Sequence, residues 1–163
     1  MVRYSIIITR TIQAIIATEG SDMVSKFYSA YRPFEAKGDH CGIDMPDLIP
    51  TSLYHEIMIP EGITTISNVY AIVIPLGTGN LDWEVTTDWF GLNASEQYNA
   101  GSDTTSGTTA VTDGDGEKID ITAAFTGATE NDVVGVLFKR DGGDVADTVG
   151  DTVLYVGLYV SGV

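Results

Sequence analysis

Apolar and polar side chains alternate with a period of two residues along much of the chain after Pro50. Residues 82–86 read DWEVT and residues 118–123 read KIDITA, so that every second side chain is apolar. A β-strand points successive side chains to opposite faces, and this pattern is typical of a strand with one buried face and one face in water. The pattern therefore predicts sheets that bury one side.

These runs, with the turn residues between them, predict about eight short strands in an antiparallel β-sandwich. The predicted strands cover residues 53–59, 69–76, 81–89, 108–112, 118–125, 132–140 and 152–160, with a weaker run around Gln97. Residues 101–107 and 113–116 are rich in Gly, Ser, Thr and Asp, which favours exposed turns at the ends of the sandwich. We expect an all-β domain over residues 51–163.

Residues 1–50 follow a different pattern and form a separate segment in this interpretation. Residues 5–17 are rich in isoleucine and fit either a strand or a short buried helix, with β-branched side chains favouring the strand. Ser21 fits the cap of a short helix that ends before Pro33, with residues 23, 24, 27, 28 and 31 on one face. Residues 34–50 contain several Gly and Pro residues and predict a linker or wrapping arm.

Two runs are apolar on both faces, at residues 69–74 and 153–160. A strand with two apolar faces is buried in its own core on one side and in a second contact on the other, which predicts a homo-oligomer. We expect a homotrimer in which the apolar strand faces close against symmetry mates. The residues predicted at the interface are Ile6, Ile7, Ile8, Ile12, Tyr155 and Tyr159.

The formal net charge of −15 is distributed unevenly along the 163 residues. Residues 1–50 carry five Lys or Arg and six Asp or Glu, a net −1, whereas residues 51–163 carry three and seventeen, a net −14. Such charge repels phosphate backbones and anionic lipids, so we expect neither nucleic acid nor a membrane as partner. We expect a soluble chain with an acidic part in water and a nearly neutral docking segment at residues 1–50.

Candidate catalytic and metal-binding residues are few. The two histidines, His40 and His55, lie in no recognised nucleophile motif, and the group around His40 and Cys41 is read as a polar loop. Asp113, Asp115 and Glu117 alternate like the first ligands of a calcium loop, but Ala124 stands where that loop needs a Glu. We expect a surface hairpin turn there, no cofactor and no enzymatic activity.

Two further groups of side chains admit both a functional and a structural interpretation. The loop after Arg140 holds four carboxylates, which we expect to cap their own loop backbone, with Arg140 pairing to one of them. Several aromatic residues fit a sugar-binding platform, although core or interface packing explains most of them better. These aromatic residues are Tyr54, Trp83, Trp89, Tyr98, Tyr155 and Tyr159.

The last third of the chain resembles a known module. The residues that carry the resemblance are NDVVGVLFKRD at 131–141, DT at 147–148 and GDTVLYVGL at 150–158, with WEV at 83–85 and the run at 119–125 in the position of the middle strands. These runs resemble the C-terminal, jelly-roll-like β-sandwich module of phage and other viral virion proteins, such as head decoration, head fibre and tail-associated proteins. The resemblance covers about residues 51–163.

The resemblance implies a jelly-roll-like sandwich without catalytic residues. It also implies a virion structural protein, most simply a capsid decoration, accessory or minor capsid subunit located on the capsid surface or tail. We expect residues 1–50 to dock on another virion protein, such as the major capsid protein. The alternative is a receptor- or glycan-binding module of a fibre or tail, with the ligand held by loops around residues 101–116 and 141–151.

Overall fold

The computed structural model describes residues 24–29, 35–37, 40–92 and 95–163, and these fold almost entirely into β-strands. The strands are β1 (Val24–Ser29), β2 (Glu35–Lys37), β3 (His40–Met45), β4 (Pro50–Met58), β5 (Ile66–Pro75), β6 (Gly79–Gly91), β7 (Gly101–Val111), β8 (Glu117–Asp120), β9 (Asp132–Asp141) and β10 (Val153–Gly162). One short 3-10 helix, Thr122–Phe125, follows β8.

The strands form two antiparallel sheets that pack as a sandwich. The first sheet has the order β2-β3-β10-β5-β8, and β1 pairs with the part of β10 that β3 leaves free. The second sheet has the order β4-β9-β6-β7. From β3 to β10 the chain therefore crosses between the sheets in the connectivity of an eight-stranded jelly roll built from two Greek keys. This confirms the predicted all-β, jelly-roll-like fold.

The strand predictions after Pro50 are confirmed for β4, β5, β6, β9 and β10, with ends that differ by a few residues. Three predictions are wrong. The strand predicted over residues 118–125 ends with β8 at Asp120, and Thr122–Phe125 is a 3-10 helix instead. No strand forms around Gln97, where residues 95–100 make turns, and residues 101–107 are not a turn but the first part of β7. Its Gly, Ser and Asp residues have weak strand propensity. Nevertheless β7 pairs with β6 over its whole length, from Gly101 opposite Trp89 to Val111 opposite Gly79. Tertiary pairing outweighs propensity there.

The helix predicted to begin at Ser21 is wrong where the structure describes it. Val24–Ser29 is strand β1, paired antiparallel with residues 157–162 of β10. The apolar side chains that suggested a helical face also fit a strand, because β1 fills the open edge of β10. Ser21, Met23 and Tyr31, like Ile6, Ile7, Ile8 and Ile12 of the predicted interface, lie outside the described residues.

The linker predicted over residues 34–50 is likewise wrong at β2 and β3, which pair as a hairpin beside β10. Gly42 is one of the glycines on which the linker prediction depends. In the fold, a Cβ at this position would collide with the Tyr155 carbonyl and the Leu154 side chain, so the missing side chain lets β3 lie against β10. The described part of residues 1–50 is thus built into the sandwich, and the docking role of this segment stays a prediction.

The core lies between the sheets and takes the inward-facing side chains of both. In β5 and β9 the buried positions alternate with partly exposed ones, as the period of two predicts. β10 is buried on nearly all positions, because it lies in the middle of the first sheet and is bordered by β5 on one side and by β1 and β3 on the other. Its register against β5 shifts between Tyr155 and Gly157, which marks a β-bulge.

Candidate functional site

Arg140 on β9 is the largest fully buried polar side chain in the described chain, with 0% exposure. Its guanidinium forms a bidentate pair with Asp147, Nε to Oδ2 and Nη2 to Oδ1, both at 2.9 Å. Nη1 donates to the carbonyls of Met45 at 2.7 Å and Asp151 at 2.9 Å, and Nη2 donates to Val149 at 2.7 Å. All five guanidinium N–H groups are therefore used within the protein.

The acidic loop between β9 and β10 is organised by these contacts. Asp147 also accepts from the backbone N–H of Val149 at 3.2 Å and of Asp82 at 3.3 Å. Asp144 caps Ala146 N at 2.8 Å, and Asp151 caps the following residue at 2.7 Å. The predictions for this loop are confirmed for three of its four carboxylates, since Asp144, Asp147 and Asp151 cap the loop backbone and Arg140 pairs with Asp147. The Asp141 side chain pairs with Lys139 instead. Through Arg140 and Asp147 the loop is fixed to Met45 at the end of β3 and to Asp82 of β6.

Concentrated negative charge remains at this end of the sandwich. Burial raises the pKa of Asp82, and the nearby carboxylates of Asp144, Asp141 and Asp147 raise it further. Lys139 acts in the opposite direction and also forms an exposed pair with Asp141 at 3.2 Å. These carboxylates lie along one loop edge, where they repel one another.

His55 and Tyr155 meet inside the sandwich. The Tyr155 hydroxyl lies 3.4 Å from His55 Nδ1, and the Tyr155 ring packs on Phe138 at 5.2 Å between centroids. Burial lowers the pKa of His55 and strongly raises the pKa of Tyr155. Tyr155 is 1% exposed, so we assign it to the core and not to the predicted subunit interface.

The candidate cation ligands lie in the turn between β7 and β8. Asp113 and Asp115 flank Gly114, whose φ of +75° belongs to a tight turn, and Glu117 begins β8. His40 and Cys41 belong to strand β3 and not to a polar loop, so that reading is wrong. Among the residues that the structure describes, no group of three or more His, Cys, Asp or Glu side chains is placed to hold a metal ion.

The aromatic residues that suggested a sugar platform are dispersed over the fold. Trp83 belongs to the core, and its Nε1 donates to the Thr109 hydroxyl at 2.9 Å. Trp89 is partly buried against the same core. Tyr159 stacks on Tyr70 at 6.1 Å on the outer side of the first sheet. Tyr98, in the loop before β7, is 73% exposed.

Tyr54 instead belongs to an apolar patch on the outer face of the second sheet, which we call the Tyr54 surface. The side chain is 82% exposed and stands opposite Leu137 of β9. Farther along the same face, Met58, Val133 and Phe90 stand in one row across β4, β9 and β6. Tyr54 and Met58 are exposed, and Leu137, Val133 and Phe90 are partly buried. Apolar side chains thus occupy outward-facing positions on three neighbouring strands.

The centre of the Tyr54 surface is Gly135, in the middle of strand β9. It stands between Glu56 of β4 and Asp88 of β6, and all three positions are exposed. A Cβ built on Gly135 would meet nothing closer than the Asp88 carbonyl at 3.8 Å, so packing does not require glycine here. A glycine inside a strand weakens it and often marks a place where another group approaches closely. The result is a notch with a carboxylate on each side and apolar side chains around it.

Sequence reasoning found Tyr54 but missed the surface around it. The signal was present in the sequence, since Met58, Val133 and Leu137 are apolar at positions where the alternation calls for polar side chains. Their proximity depends on the pairing of β4, β9 and β6, which the sequence alone did not predict.

A separate cavity of about 320 Å³ opens beside the 3-10 helix. Its lining includes five threonines and Phe125, and no charged side chain. The hydroxyls of Thr64 and Thr126 are already used within the fold, donating to the carbonyls of Val163 at 3.0 Å and Ala123 at 2.9 Å. The hydroxyls of Thr122 and Thr129 likewise donate to Asp120 and Asp132, so four of the five threonine hydroxyls are left with acceptor capacity only.

Within the described ranges, no helix has the length and apolar character needed to cross a membrane. Comparison of the chain with models of protein families, with curated proteins and with solved structures finds no match.

Proposed function

We propose that this chain is a structural subunit of a virus particle, a capsid decoration, accessory or minor capsid protein that assembles as a homotrimer. The jelly-roll topology and the resemblance of residues 51–163 to virion modules support this class, although such a fold hosts several functions. The observation that carries the proposal is the Tyr54 surface, because apolar side chains on the open face of a sheet call for a partner.

A partner that covers the Tyr54 surface removes apolar area from water. Monomeric soluble proteins rarely expose large contiguous apolar patches, and such patches mark interaction sites. Each Å² of apolar surface removed from water contributes about 25 cal/mol, so covering these side chains favours association. Arg140 and His55, the side chains best suited to chemistry, are instead engaged inside the fold. These features support assembly as the role of the chain.

The assembly is tested by light scattering of the full chain over a range of concentrations. The chain mass is 17.4 kDa, and we expect a species of three times this mass. Tyr54→Ser with Met58→Ser should shift the equilibrium towards monomer, whereas the matched control Tyr98→Ser, at an exposed tyrosine in a loop, should leave it unchanged. A wild-type chain that stays monomeric at every concentration would overturn the homotrimer.

The assignment to a particle needs its own test. A lysate of the source is fractionated on a density gradient, and the fractions are probed with an antibody against the chain. We expect the chain to sediment with particles and to remain on them in washed fractions. A chain found solely in the light, soluble fractions would overturn the virion assignment without affecting the oligomer.

A receptor- or glycan-binding module is the second candidate, and the threonine-lined cavity favours it. A glycan array with the wild-type chain, Thr126→Val and Tyr98→Ala separates the sites. Binding that is lost in Thr126→Val would place a neutral sugar in the cavity. Binding that is lost in Tyr98→Ala would instead place it on the loop before β7.

A further inference from the structure

The Tyr54 surface combines an apolar rim with two acceptors. Glu56 and Asp88 stand on opposite sides of Gly135, about 10 Å apart at the backbone because each strand is spaced by ~4.8 Å. Ionised carboxylates accept hydrogen bonds and donate none. An occupant that covers this surface therefore has to bring apolar side chains together with cationic donors.

The cations whose contacts the structure describes are already engaged. Lys26 lies 4.9 Å over the Tyr28 ring, and Lys118 lies 4.8 Å over the Tyr70 ring. Lys139 pairs with Asp141. Arg140 is buried with Asp147, as described above.

The first 18 residues of the chain have the complementary composition. They contain Arg3 and Arg10 and no Asp or Glu, although the whole chain has 23 acidic residues. Isoleucine occupies positions 6, 7, 8, 12, 15 and 16. Segment 1–18 is therefore the part of the sequence in which cationic donors and a high density of apolar, β-branched side chains occur together.

We propose that the Tyr54 surface binds segment 1–18 of a neighbouring copy, with an arginine over the Gly135 notch between Glu56 and Asp88 and the isoleucines against the apolar rim. This inference rests on the proposed homo-oligomer and names its contact. If each copy gives its segment to the next copy, all copies have the same environment. The copies then form a closed ring when the rotation that relates neighbouring copies divides a full turn.

The position of β1 agrees with such an exchange. The Tyr28 hydroxyl donates to the Met58 carbonyl, which places β1 beside one end of the Tyr54 surface. Val24 begins β1 four residues before Tyr28, about 13 Å away along an extended strand, and 18 further extended residues span about 60 Å. A segment of this length can extend beyond its own domain.

Charge reversal tests the contact in the full chain. One variant carries Glu56→Arg with Asp88→Arg, a second carries Arg3→Glu with Arg10→Glu, and a third carries all four substitutions. The matched control, Asp113→Arg with Asp115→Arg, makes the same charge change in the exposed β7–β8 turn. Light scattering gives the mass of each protein, and thermal melting shows that each is folded.

We expect each two-residue reversal to weaken association by roughly tenfold or more, because like charges then face each other. The four-residue variant should recover the wild-type mass, and the control should keep it. Gly135→Val should also weaken association by filling the notch, while its melting temperature stays equal or rises.

The outcomes separate this inference from the proposed function. A trimer that persists in the reversed variants overturns the segment contact and leaves the homotrimer standing. A wild-type chain that is monomeric throughout overturns both. A glycan whose binding is lost in Tyr54→Ala, with the oligomeric mass unchanged, assigns the surface to that glycan and overturns the segment contact.

Discussion

Replacing Arg140 by leucine should be among the most destabilising single changes in the described chain. The substitution removes both charge-assisted bonds to Asp147, whose side chain has 0% exposure, and leaves that carboxylate buried without its cation. It also removes the donors to the carbonyls of Met45, Val149 and Asp151. Removing one partner of a buried ion pair costs about 3 to 5 kcal/mol of unfolding free energy.

Urea unfolding measures this loss of free energy directly, and thermal unfolding measures it as a decrease in Tm. For a domain of this size about 1 kcal/mol lowers Tm by ~2–4 °C, so we expect a decrease of roughly 6 to 20 °C. The matched control is Lys139→Leu, at the neighbouring residue, whose partner Asp141 is one-third exposed. That exposed pair should contribute at most about 1 kcal/mol.

The double variant Arg140→Leu with Asp147→Leu completes a thermodynamic cycle. Because it removes both charges, its loss should be smaller than the sum of the two single losses, with an interaction energy of about 1 to 3 kcal/mol. A loss below about 1 kcal/mol for Arg140→Leu, or strict additivity in the cycle, would refute the assignment of this pair as the anchor of the loop.

Three further changes test the interior of the sandwich. Burial lowers the pKa of His55, so the unfolded chain binds more protons than the folded chain below about pH 6.5, and the free energy of unfolding should fall as the pH is lowered from there. His55→Gln should flatten this pH dependence between about pH 7 and 5 in urea titrations. An unchanged slope would contradict the prediction. The Thr87 hydroxyl donates to the buried Ala124 carbonyl, so Thr87→Val should cost about 1 to 3 kcal/mol of unfolding free energy, and a neutral result would show that the bond is not formed. A Cβ at Gly101 would collide with the Trp89 indole, so Gly101→Ala should cost about 1 to 3 kcal/mol and shift tryptophan fluorescence, and an unperturbed spectrum would count against this packing.

Much of the sandwich was predictable because burial imposes a period of two on the sequence. β9 shows it most plainly, since the positions of Val134, Val136 and Phe138 face the core and the residues between them are more exposed. The same physical rule failed at β1, where Phe27 and Tyr28 also fit a helical spacing. A local pattern could not reveal that the open edge of β10 was available to pair with them.

The candidate site was less predictable because it depends on register between strands distant in sequence. Met58, Phe90 and Val133 come into one row through pairings that no single stretch of sequence specifies. Arg140 could be expected to pair with a nearby acid, and it does. The choice of Asp147 among its neighbours follows from the path of the loop, which aims that carboxylate inward.

The location of β10 has a consequence for how the protein folds. This strand hydrogen-bonds to β1, β3 and β5, yet it follows all three along the chain, and its pairing with β1 joins residues such as Val24 and Gly162. During synthesis the three earlier strands therefore emerge before the strand that joins them. Contacts of such long sequence separation form slowly. Completion of the first sheet is thus a late event, and until then the unpaired backbone edges of β1, β3 and β5 can pair with other chains and aggregate.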